Sequence, residues 1–160
     1  ICIDGGAHWV RPLRMMLGEI DEVVAVTGSH VPRMQGESWA HALFKFSSGV
    51  TASFDALTTP SPVGPTEDFR ITGTRGEIVI EHGREGRFQL FNEAHPDGIT
   101  VMEAFPGKVD SYGFELDDFS RCVLDGTPLA APPEFSLGEL RTALAMYRSV
   151  ESGAWEPVWD

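Results

Sequence analysis

Trp39-Ala40-His41-Ala42-Leu43-Phe44-Lys45-Phe46-Ser47-Ser48-Gly49-Val50-Thr51-Ala52-Ser53-Phe54-Asp55-Ala56 is the stretch that decides the fold of this chain. Ala40, Ala42, Phe44 and Phe46 recur at every second position, with Trp39, His41, Leu43 and Lys45 between them. A period of two belongs to a pleated strand, whose side chains alternate between its faces. Ser47-Ser48-Gly49 reads as a tight turn, after which Val50, Ala52, Phe54 and Ala56 resume the alternation. The stretch therefore predicts an antiparallel β-hairpin.

Upstream of the hairpin, Glu22 to Thr27 is β-branched and strand-like. Before that, Trp9 to Leu17 is an apolar run stopped by Gly18, which predicts a short helix with Asp4 or the glycines at its start and Pro12 early enough to be tolerated. Downstream, Pro60, Pro62 and Pro65 mark a loop. Phe69-Arg70-Ile71-Thr72, a turn at Thr74-Arg75-Gly76 and Glu77 to Glu81 then predict a second hairpin, followed by strands at 87–91 and 99–105. The last third is helical. Phe114 to Leu124 places Leu116, Phe119 and Val123 on one face before Gly126. Ser136-Leu137-Gly138-Glu139 fits a capping box, and Leu137, Leu140, Leu144 and Tyr147 follow at helical spacing up to Gly153. Glu156 to Trp159 reads as a short edge strand. One helix, about six strands in hairpins and two closing helices predict an α+β domain, with a mostly antiparallel, open-faced sheet and helices packed on one face.

The composition narrows the function. The 160 residues, 42% hydrophobic, suffice for a single domain spanning 1–160. Twelve scattered cations against 24 acids give a net charge of -12, which argues against nucleic acid as a partner and for a solvated acidic surface. Two cysteines, Cys2 and Cys122, form no disulfide framework or metal motif and suit a reducing cytoplasm. No apolar run is long enough for a membrane helix. The chain opens at Ile1-Cys2-Ile3 without a Met, so it reads as part of a longer protein.

Asp4 and His8 are the chemical candidates. Four residues apart at a helix start, they put a carboxylate and an imidazole on one face, a pairing suited to proton transfer. The plainer alternative is that Asp4 caps the helix and His8 is an ordinary residue near its N-terminus. Trp9 could stack on a sugar ring or pack. His30, His41, His82 and His95 have no metal-ligand spacing, no Ser sits in a nucleophile elbow, and Glu115, Asp117 and Asp118 read as a solvated run.

The Asp4-x-Gly6-x-His8 start of the helix, the Leu43–Val50 hairpin, the Phe69–Ile78 hairpin with its Gly73-x-x-Gly76 turn, the 112–124 stretch and the Ser136 helix occur in an order that resembles the C-terminal domain of the Gfo/Idh/MocA (glucose–fructose oxidoreductase/inositol dehydrogenase) family. The resemblance implies an NAD(P)-dependent oxidoreductase acting on a sugar, cyclitol or related alcohol. In such a protein this domain shapes the substrate pocket and forms a homo-oligomer through its open sheet face. It maps the family's catalytic pair onto Asp4 and His8 and places Trp9 and Arg11 at the substrate. Arg11 is a departure, since many members carry an Asp there. The family's N-terminal Rossmann domain is expected to lie outside this chain. No Gly-x-Gly-x-x-Gly turn occurs in it, and the Glu-Lys-Pro segment is missing, with neither Lys45 nor Lys108 in that context. NAD or NADP is thus expected in the full-length protein and no cofactor on this chain alone. The competing reading is a non-catalytic oligomerisation or small-molecule-binding module of the same fold.

Overall fold

The alternating stretch forms β2 (Trp39–Phe46) and β3 (Thr51–Leu57), paired antiparallel with Ala42 opposite Phe54 and Phe44 opposite Ala52. Ala40, Ala42, Phe44 and Phe46 are buried while His41, Leu43 and Lys45 are exposed, as the period of two requires. The Phe44 and Phe54 rings stack at 5.8 Å. On the other side of β2 lies β1 (Ile20–Gly28), and the two-residue β8 (Glu156–Pro157) adds an edge to β1, giving the order β3-β2-β1-β8. This computed structural model describes residues 1–58, 66–82, 87–102 and 108–159. They fall into two compact units, Ile1–Pro60 with Ala130–Asp160, and Ser61–Leu129.

In the first unit, α1 (Ala7–Leu17) packs on α3 (Pro133–Ser152), and α3 packs on β1. α1 ends at Gly18, as its sequence predicts. α3 differs from expectation in two ways. It begins at Pro133 with Pro132 as N-cap, so Ser136 and Glu139 are interior and form no capping box. Pro132 supplies the extended conformation that ends the preceding loop, and Pro133 fits the first helical position because no N–H is needed there. The buried face is also not the leucine stripe. Gly138, Thr142, Ala145, Met146 and Ser149 face inward, while Leu137, Leu140 and Leu144 are exposed. Small residues let the helix approach the sheet closely, which leaves a second apolar face outside.

Ser149 ties the layers together. Its hydroxyl donates to the Ala154 carbonyl at 2.6 Å and accepts from the Ala25 N–H at 2.9 Å, beyond the point where β8 stops. Ser149→Ala should therefore cost about 1–3 kcal/mol in urea unfolding, the scale of a stranded buried donor. A loss under about 0.5 kcal/mol, ordinary for a surface site, would show that water reaches Ala25.

The second unit is a meander of β4 (Thr66–Gly73), β5 (Gly76–His82), β6 (Phe88–Asn92) and β7 (His95–Met102), followed by α2 (Lys108–Asp125). Ile71, Ile78, Leu90 and Ile99 stand in register on one face, with Phe69, Ile80 and Phe88 beside them. Arg70 pairs with Glu77 on the other face, where Thr72 also donates to Glu77 at 2.8 Å. Leu116, Phe119 and Val123 of α2, expected to be its packed face, are exposed. The α+β class read from the sequence is the one observed, with eight strands in two antiparallel sheets among the described residues. The prolines at 60, 62 and 65, the end of the 99–105 strand beyond 102 and the His82 side chain lie outside the described residues.

Candidate active site

The candidate residues lie in the turn before α1 and in its first turn. The Gly6 N–H donates to the Ile1 carbonyl at 2.8 Å, closing residues 1–6 into a compact turn. A Cβ on Gly6 would stand 2.4 Å from the Cys2 carbonyl oxygen, so that approach needs glycine. Gly6, not Asp4, is the N-cap of α1, and no side chain caps the helix. Asp4 and His8 are both exposed, and neither hydrogen-bonds the other among the described residues. The His8 and Trp9 rings meet edge to face at 6.5 Å. Along the outer side of α1, His8, Trp9, Met15 and Met16 are all exposed, so the imidazole stands at one end of an apolar strip.

Arg11 is held from α3. Its Nε donates to Glu139 Oε1 at 2.7 Å, and its Nη2 donates to Glu139 Oε2 at 3.0 Å and Ser136 Oγ at 2.5 Å. Its Nη1 makes no hydrogen bond among the described residues. Arg14, one turn on, is a structural cation with a side chain 1% exposed. It donates to Glu19 through Nε (2.9 Å) and Nη2 (2.8 Å), to the Phe135 carbonyl, and to Glu139 Oε1 at 3.4 Å. It also covers the Phe135 ring at 4.2 Å. A Cβ on Gly138 would fall 2.2 Å from Arg14 Nη2, so only glycine admits the guanidinium. Sequence reasoning missed how these arginines are held because their partners on α3 lie more than 120 residues away.

Glu37, in the loop between β1 and β2, also escaped the sequence reading. Its Oε1 accepts from the Ile1 nitrogen at 2.6 Å, the Cys2 N–H at 2.8 Å and the Tyr147 hydroxyl at 2.8 Å. Burial alone would raise its carboxyl, but these bonds outweigh burial and hold it down at about 2. Burial, then the Glu37 charge, pushes the Cys2 thiol up to about 12. Cys2 therefore stays protonated and is no nucleophile at neutral pH. Among the described residues no three His, Cys, Asp or Glu side chains converge to hold a metal, and no helix is long and apolar enough to cross a membrane.

This layered α+β arrangement is that of solved oxidoreductases. An oxidoreductase from Agrobacterium radiobacter, in complex with NAD+, L-tartaric acid and magnesium, matches 99% of the chain at TM-score 0.82 and 20% identity, over 49% of its own length. A levoglucosan dehydrogenase, in complex with NADH and levoglucosan, matches 98% at TM-score 0.82 and 20% identity, over 50% of its length. In sequence, residues 1–79 match the family model of the GFO/IDH/MocA C-terminal domain. D-xylose 1-dehydrogenase (NADP(+)) 2 of Haloferax volcanii is 28% identical over 159 residues, 95% of this chain. The chain spans 46% of that relative, about half its length.

Proposed function

We propose that this chain is the substrate-side part of an NAD(P)-dependent oxidoreductase acting on a sugar, cyclitol or related alcohol. The observation that carries the reading is the placement of His8, exposed at the end of an apolar strip on the helix layer of a GFO/IDH/MocA C-terminal domain. Relatives named for xylose and levoglucosan support the substrate class.

The chain has no Gly-x-Gly-x-x-Gly turn between a strand and a helix, so its residues do not fit the pyrophosphate of a dinucleotide, and that task falls to another domain. The residues of this chain handle the substrate and its proton. His8 accepts the hydroxyl proton as the carbon is oxidised, Asp4 stabilises the resulting imidazolium, Trp9 offers an apolar face to the ring, and Arg11 offers its Nη1 to a substrate oxygen. The two unpaired cysteines support a cytoplasmic setting. The full-length protein, assayed with NAD and with NADP against aldoses, cyclitols and linear polyols, should produce reduced nicotinamide with at least one of them. No reduction with any would favour the non-catalytic module.

The open face of the first sheet is the proposed homo-oligomer contact. Val26, Leu43 and Leu57 are exposed there beside Trp39, flanked by the His41–Asp55 and Lys45–Glu22 pairs. Both helices of that unit lie on the other side. Light scattering should find an oligomer at micromolar concentration, and Leu43→Glu should dissociate it by burying a charge. A folded monomer before mutation would refute this contact.

A further inference from the structure

We propose that Glu37 and Tyr147 are positioning residues, a latch that fixes the turn carrying Asp4 and His8 against the body of the first unit; the inference rests on the proton-transfer reading of His8. Asp4 and His8 are exposed, α1 has no side-chain N-cap, and Gly5 and Gly6 are the most permissive residues a chain can place there. One carboxylate oxygen compensates. Glu37 Oε1 accepts from the Cys2 N–H and from the Tyr147 hydroxyl, each at 2.8 Å. Glu37 comes from the β1–β2 loop and holds Cys2, while Tyr147 from α3 donates to the same Glu37 oxygen and so steadies the carboxylate that grips the turn. The Glu37 side chain is 14% exposed, which strengthens charge-assisted bonds relative to water. Cys2 is buried, and Gly6 closes onto it, so the Cys2 position passes directly to the start of α1. Asp4 follows Cys2 by two positions and His8 by six, and effective proton transfer depends on placement at the ångström scale.

The test uses Tyr147→Phe, which keeps the ring, with Glu37→Gln, which keeps an acceptor but no charge, and Glu37→Ala, which removes both. In the full-length protein, amide exchange at Cys2 and Gly6 should quicken at least tenfold in Tyr147→Phe and Glu37→Ala. Exchange at Ala42 and Phe44 of β2 should stay within twofold. With the best sugar and nicotinamide nucleotide, kcat should fall at least tenfold in Glu37→Ala with KM within twofold, and Glu37→Gln should recover most of the loss. Equal acceleration of exchange in the turn and in β2 would make the pair a general stabiliser and overturn the latch. Unchanged exchange in the turn would overturn it too. If the wild type oxidises nothing, the proton-transfer reading fails and with it the positioning role. The exchange data then decide only whether the turn is held by Glu37 and Tyr147.

Discussion

His8→Asn in the full-length protein is expected to lower kcat for alcohol oxidation by about 10²–10⁴, the usual scale of general acid–base catalysis. Asparagine retains a similar reach and some hydrogen bonding but cannot take the hydroxyl proton. The fold should be untouched, because the His8 side chain is exposed and only its backbone N–H, which asparagine keeps, bonds the Gly5 carbonyl. A substitution at such a site stays within about 0.5 kcal/mol in stability. Asp4→Asn should be milder, since it removes only a charge near the imidazolium. Asp4→Ala should cost little stability, because Gly6 and not Asp4 begins the helix. Wild-type kcat in His8→Asn across the pH range would remove His8 from the chemistry.

Glu139→Ala has the largest expected effect on folding. Breaking one side of a buried ion pair costs about 3–5 kcal/mol, because the remaining charge is left without compensation. Glu139 serves two cations at once, Arg11 through both carboxylate oxygens and Arg14 at 3.4 Å. Arg14 keeps Glu19 and the Phe135 carbonyl, and Arg11 is a third exposed, so the lower end, about 3 kcal/mol, is expected. Glu139→Gln should lose less, since its amide oxygen can still accept. Urea unfolding measures both. A loss under about 1 kcal/mol in Glu139→Ala, the worth of an exposed pair, would mean that Glu19 alone neutralises Arg14.

The hairpin at 39–56 was fully legible because burial there follows a local period, and each residue carries its own mark of inside or outside. The Gly18 stop of α1 was legible for the same reason. α3 was placed correctly but faced the wrong way. Leu137, Leu140 and Leu144 repeat at helical spacing, yet so do Gly138, Thr142, Ala145 and Ser149, and size alone favours the leucines. Periodicity says that a face exists without saying which of two faces meets the sheet. Ser136 and Glu139 satisfied a local motif, but their partners are Arg11 and, for Glu139, Arg14. The candidate pair Asp4 and His8 could be named from five residues of sequence. The grip of Glu37 and Tyr147 on the preceding turn could not, because it spans 110 residues between its own members.

The inversion of α3 bears on how this polypeptide behaves in a test tube. Its bulkiest aliphatic side chains point toward solvent where a free-standing domain would display lysine or glutamate, and α1 adds Met15 and Met16 to the same outer layer. Produced by itself, the chain should be limited by colloidal clumping while its sheet and helices remain intact. Polar replacements at Leu137, Leu140 and Leu144 are then the natural route to a tractable sample, since none of the three supports the sheet beneath.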